Sequence, residues 1–110
     1  MRPVAILLAL CLCAGAARAN PADDILRAMS DAARRTAFAR MLSASGASCG
    51  QVLEAYRQGR DRRGNAYWSV RCATGLAVQV RIAPDSGGST HIADCAAVAD
   101  AGAPRCFTRF

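Results

Sequence analysis

Residues 66–82 read Ala66-Tyr67-Trp68-Ser69-Val70-Arg71-Cys72-Ala73-Thr74-Gly75-Leu76-Ala77-Val78-Gln79-Val80-Arg81-Ile82. Ala66, Trp68, Val70 and Cys72 alternate with Tyr67, Ser69 and Arg71. Leu76, Val78, Val80 and Ile82 then alternate with Ala77, Gln79 and Arg81. A period of two is that of a half-buried β-strand, because successive side chains point to opposite faces. Ala73-Thr74-Gly75 joins the two runs as a hairpin loop, with Gly75 free to adopt a positive φ. The pair therefore presents one apolar face, of Trp68, Val70, Leu76, Val78, Val80 and Ile82, and that face needs a cover.

Outward from this hairpin, Gln51–Gln58 reads as a preceding strand and Ser89–Cys95 as a following one. Gly59-Arg60-Asp61-Arg62-Arg63-Gly64-Asn65 links the first two strands, and Pro84-Asp85-Ser86-Gly87-Gly88 turns the chain before the fourth. Pro21 to about Ser45 is predicted as one amphipathic helix. Asn20 or Asp23 caps it, Pro21 suits its first turn, and Asp23 and Asp24 favour the positive end of its dipole. Ile25, Met29, Ala32, Ala33 and Thr36 make its apolar stripe, continued less regularly by Phe38, Met41 and Leu42. Residues 96–110 read as short helix or coil, broken by Gly102 and Pro104. The expected architecture is an α+β domain over 20–110: an N-terminal amphipathic helix packed on a four-stranded antiparallel β-meander, about 50–95.

The first nineteen residues read as a signal peptide. Met1-Arg2-Pro3 is a basic start, Val4–Ala14 an apolar run, and Ala17-Arg18-Ala19 a small-x-small cleavage triplet. The apolar run is shorter than the ~20 residues that cross a bilayer. Leu10 before Cys11 and Leu12 before Cys13 argue against lipidation of either cysteine. The mature chain is expected from Asn20, exported to the periplasm or beyond. It retains Cys49, Cys72, Cys95 and Cys106, which read as two disulfides in so small an exported domain. In a meander the start of strand 1 lies beside the end of strand 2, which pairs Cys49 with Cys72. Cys95 lies two strand spacings from Cys72, about 9.6 Å and beyond the reach of a disulfide. It is therefore predicted to pair with Cys106.

Residues 59–72 carry the pattern G-x-D-x-x-G-x-A-Y-W-x-V-x-C on Gly59, Asp61, Gly64, Ala66, Tyr67, Trp68, Val70 and Cys72. With Asp94-Cys95 and the closing Cys106-Phe107-Thr108-Arg109-Phe110, residues 49–110 resemble a group of small exported bacterial proteins of unassigned function. The resemblance implies an exported, disulfide-stapled domain and brings no activity with it. By size and architecture the chain is also similar to small periplasmic α+β inhibitors of peptidases or lysozymes.

The mature chain holds twelve arginines, no lysine and eight acidic residues, a net charge of +4. Arg57, Arg60, Arg62 and Arg63 are the densest cluster, read either as a solvated loop or as a contact for an acidic partner. No stacking aromatic is interleaved among them, and with export this argues against nucleic acid. Tyr67, Ser69, Arg71, Gln79 and Arg81 are expected on the sheet's outer face, facing away from the helix. That composition suits a binding surface and a solvated face equally. Trp68, on the opposite parity, is expected in the core. His91, the only histidine, lacks an orienting carboxylate, since Asp94 sits three residues along the same strand. The cysteines have neither metal nor redox spacing. Glu54, Asp61, Asp85 and Asp94 make no catalytic pair, and Asp61 is expected to shape a turn. The sequence thus points to a non-enzymatic binding module without cofactor, contacting an envelope protein or an anionic envelope component. An inhibitor of an exported hydrolase, a small hydrolase using His91, and an envelope assembly factor are the alternatives.

Overall fold

The computed structural model describes residues 19–101 and 104–110. The expected signal peptide, apart from Ala19, lies outside them. Two N-terminal helices, α1 (Pro21–Ala28) and α2 (Asp31–Ala44), precede strands β1 (Val52–Arg60), β2 (Ala66–Cys72), β3 (Ala77–Ile82) and β4 (Thr90–Asp94). A short helix, α3 (Cys95–Asp100), follows. The strands form one antiparallel sheet in the order β1-β2-β3-β4. The register sets Trp68 opposite Val80, and Val70 opposite Val78 and Ala55, so the alternating apolar residues share one face.

The single helix expected over 21–45 is divided at Met29-Ser30. Met29 is extended and Ser30 caps α2, its hydroxyl accepting from the Ala33 N–H. A serine cap satisfies an otherwise orphaned amide and starts a new helix. Arg34 holds the two pieces at the joint. Its guanidinium donates to the last carbonyls of α1, at Leu26 (2.8 Å), Arg27 (3.1 Å) and Met29 (3.0 Å). A cation at a helix C-terminus suits both the dipole and the unpaired carbonyls.

Leu26, Phe38 and Leu42 pack with Val52, Trp68, Val70, Val78, Val80 and Ile82 into one core. Phe38 and Trp68 meet with ring centroids 5.3 Å apart. Burying each large apolar side chain contributes about 1.5–3 kcal/mol. The Cys49–Cys72 disulfide closes the end of this layer. Cys95 begins α3 rather than ending β4, and its disulfide with Cys106 leads the chain back toward the sheet. Both pairings are those predicted from the meander.

Asn20 is fully buried. Its amide donates to the Gly64 and Ile82 carbonyls while its oxygen caps α1 at the Asp23 N–H. One side chain thus ties the helix start to the β1–β2 turn and to the end of β3. The turn after β3 closes on the same helix. A Cβ placed on Gly88 (φ +61°) would lie 2.7 Å from the Ala22 Cβ, so a side chain there meets both strain and a clash.

Candidate functional site

The arginine cluster of residues 57–63 does not form one solvated loop. Arg57 and Arg60 belong to β1, and both turn toward α1, where Asp23 is fully buried. Arg57 donates through Nε (3.3 Å) and Nη2 (2.9 Å) to Asp23, and Arg60 through Nε (2.9 Å). The Trp68 indole N–H gives a further bond to the same carboxylate at 2.8 Å. Arg60 also reaches Asp24 at 2.6 Å. Burial pushes the Asp23 carboxyl up. The bonds from Arg57, Trp68 and Arg60 outweigh it and hold the group below the usual carboxylate range. Burial likewise pulls the Arg60 guanidinium down, and its bonds to Asp23 and Asp24 raise it on balance. Two of the four clustered arginines are therefore neutralised structural groups. Arg62 and Arg63 remain exposed on the turn.

Asp61 organises that turn. One carboxylate oxygen accepts the Arg63 and Asn65 backbone N–H groups, and the other accepts the Asn65 amide and the Tyr67 hydroxyl. Burial raises its pKa, and these bonds bring it below the usual range overall. Tyr67 moves the other way, raised by burial and by the neighbouring Asp61 carboxylate against a smaller opposing effect of Arg81.

The outer face of the sheet is not open. Residues 105–110 cross it. Gln58 donates its amide to the Arg105 (2.8 Å) and Thr108 (3.0 Å) carbonyls and accepts from the Gln79 amide (2.9 Å). The Ser69 hydroxyl accepts the Phe107 N–H at 2.9 Å. Phe107 faces Tyr56 at 6.3 Å and lies 4.3 Å from the Arg71 guanidinium carbon, while Phe110 lies 5.0 Å from Tyr67. Ser69, Gln58 and Gln79 are 0%, 3% and 8% exposed as a result. Of the residues expected to present a binding face, Ser69 and Gln79 are buried and Tyr67 is half-covered. Only Arg71 and Arg81 stay exposed, and Arg71 also pairs with Glu54 at 3.5 Å. The cause is the Cys95–Cys106 link, which returns the tail to the sheet, where polar side chains receive its backbone groups.

The pattern on residues 59–72 reads structurally throughout. Gly59 (φ +142°) admits Phe110, whose Cβ would stand 3.4 Å from a Cβ at that position. Asp61 and Tyr67 close the turn, the Gly64 carbonyl receives Asn20, Trp68 reaches Asp23, Ala66 and Val70 fill the core, and Cys72 is bridged.

A cavity of about 580 Å³ opens where the helix layer, β1 and the tail meet. Arg27 of α1, Arg34 of α2, Arg57 of β1 and Arg109 of the tail surround it, with the Tyr56 and Phe110 rings, and no Asp or Glu side chain lines it. Arg57 is committed to Asp23, and Arg34 to the carbonyls of α1. Among the described residues, no acid lies within ion-pair distance of Arg27, Arg34 or Arg109. Sequence reading missed this site, since its arginines are spread over more than eighty positions. A smaller cavity of about 260 Å³ is lined by Arg63, Asn65, Arg81, Ser89, Thr90 and His91. His91 stands opposite Arg81 in the register. Asp94 instead caps α3 at the Ala96 N–H, so it does not orient the imidazole. Among the described residues, no group of three or more His, Cys, Asp or Glu side chains is placed to hold a metal ion, and no helix is long and apolar enough to cross a membrane.

Comparison with protein-family models, curated proteins and solved structures finds no match for this chain.

Proposed function

We propose that this chain is an exported, disulfide-stabilised, non-enzymatic binding module of the bacterial envelope that captures an acidic partner through exposed arginines. The observation that carries the proposal is the cavity at the edge of β1, where the exposed Arg27 and Arg109 stand beside Arg34 and Arg57 and no Asp or Glu side chain lines the space. Guanidinium groups are suited to carboxylates, and a concave basic site focuses its field on an approaching anion. Export is supported by the leader-like residues 1–19 and by two disulfides, which persist outside the cytoplasm. A hydrolase reading has little support, because Asp94 is committed to a helix cap and no described carboxylate bonds to His91.

The test is affinity capture from an oxidising envelope extract with the oxidised protein as bait, beside an Arg27→Ala/Arg109→Ala double variant. The expected result is a reproducible partner released by salt above about 0.5 M and lost by the variant. A partner held equally by both proteins in high salt would move the binding surface elsewhere.

A further inference from the structure

We infer that the arginine-ringed cavity receives an extended acidic peptide segment of a partner protein, paired with the free edge of β1 as a fifth strand. This rests on the binding-module reading above and names the shape and chemistry of what is bound.

The cavity lies along an edge. Ala55, Tyr56, Arg57 and Gln58 are consecutive in β1, and all four line it. Neighbouring strand residues face opposite sides of a sheet, so a space touching four in a row runs beside the strand rather than over one face. Its other walls come from layers on opposite sides of the sheet, Arg27 and Arg34 from the helices and Arg109 and Phe110 from the tail. Layers on opposite sides of a sheet line one space where it passes the edge, and Trp68 of β2 extends that space onto the helix face.

That edge has main-chain bonding capacity. β1 is outermost in the sheet, and an edge strand presents alternate N–H and C=O groups outward. Among the described residues it receives one main-chain bond from beyond the sheet along 54–58, from the Phe110 N–H to the Gln58 carbonyl at 3.0 Å. The tail thus already pairs at one end of the position a fifth strand would take. Register irregularities lie between Val52 and Glu54 and between Arg57 and Gly59. They leave a short regular run at Glu54–Arg57, which suits a brief pairing and discourages extended sheet growth.

The charges select the occupant. Side chains of an added strand point alternately to the helix side and the tail side. Acidic residues on one side meet Arg27, and those on the other meet Arg109. Tyr56 and Phe110 offer rings to apolar residues between them. A second copy paired through β1 would bring its own Arg27 and Arg109 against the same basic cavity, so like charges oppose self-pairing. Main-chain pairing supplies affinity in this mode of recognition, and side-chain complementarity supplies selectivity.

The experiment is a binding titration with the oxidised full-length mature protein and a labelled ten-residue peptide of repeating Glu-Glu-Val-Val, which places glutamate and valine on both sides of an extended strand. Three other probes run in parallel: the same peptide N-methylated at alternate residues, inorganic polyphosphate, and vesicles of phosphatidylglycerol. Strand addition predicts saturable binding of the plain peptide and amide shifts at Ala55–Gln58. N-methylation should weaken binding about tenfold or more, as should Arg27→Ala/Arg109→Ala without a change in melting temperature. Equal binding of the plain and N-methylated peptides overturns strand addition while acidic recognition stands. Arginine-dependent binding of polyphosphate or vesicles, with no binding of the peptide, overturns the peptide inference and keeps an anion-binding module. Failure of all four probes overturns both.

Discussion

The two faces of the sheet are both covered, by opposite chemistries. The helix face buries Leu26, Phe38, Trp68, Val70, Val80 and Ile82 around one ionic node, Asp23 with Arg57 and Arg60. The tail face buries amides and a hydroxyl, Gln58, Gln79 and Ser69, against backbone groups of a short segment. Apolar burial and a buried carboxylate couple the helix face to global folding. Hydrogen bonds that water can replace, together with a disulfide tether, hold the tail face, so this layer is expected to open separately from the helix face. The difference teaches that one sheet can be covered by an apolar layer on one side and a hydrogen-bonded polar layer on the other, with the proposed binding edge between them.

The largest expected effect is on the helix face. Asp23→Ala leaves Arg57 and Arg60 without their buried carboxylate and the Trp68 N–H without its acceptor. It is expected to lower stability by about 3 kcal/mol or more, read as a shift in urea midpoint. An effect below about 1 kcal/mol would show the node to be peripheral. Next comes the pair of disulfides. Replacing Cys49 and Cys72 by alanine is expected to cost about 2–4 kcal/mol of global stability. Replacing Cys95 and Cys106 should instead raise exchange of the Phe107 and Phe110 amides about tenfold while β2 and β3 stay protected. Equal global losses from the two changes would erase the distinction between the faces.

Acid gives a third handle. The Asp23 carboxyl is held below its ordinary value of 3.8, so the unfolded chain takes up the proton more readily. Its contribution is complete above that unfolded value and is lost as pH falls through the lower folded one. Asp61 contributes with the same sign. The urea midpoint should fall from about pH 4 downward, and less steeply in Asp23→Asn, which starts from a lower stability. A wild-type midpoint that is flat to pH 2 would contradict the assignment. Smaller still, Gln79→Ala removes the partner of the Gln58 oxygen and should loosen the tail by about 1–2 kcal/mol, read by exchange at Phe107. Arg71→Ala, exposed and beside Phe107, should cost less than about 1 kcal/mol.

The sheet was legible because its helix face is apolar and alternates in step with the pleat, and the meander then placed the cysteines. The break at Ser30 had a local signal, a serine followed by an aspartate within the helical stretch, but the surrounding alanines are compatible with an unbroken helix. The role of Asp23 had none. Its partners stand 34, 37 and 45 positions away, and an acid in a first helical turn is explained by the dipole alone. The covered outer face was misread for a related reason. Gln58, Ser69 and Gln79 look the same in sequence whether water or a returning backbone satisfies them. Only the path of the chain after Cys95 decides between the two. The edge cavity depends on that same path, since Arg109 and Phe110 complete it.

The most direct measurement is native-state hydrogen exchange of the oxidised protein at increasing low denaturant. The Phe107 and Phe110 amides are expected to exchange through a small opening with little denaturant dependence, well before β2 and β3, which exchange only through global unfolding. Tail and strand amides that exchange together, with one free energy and one denaturant dependence, would contradict it.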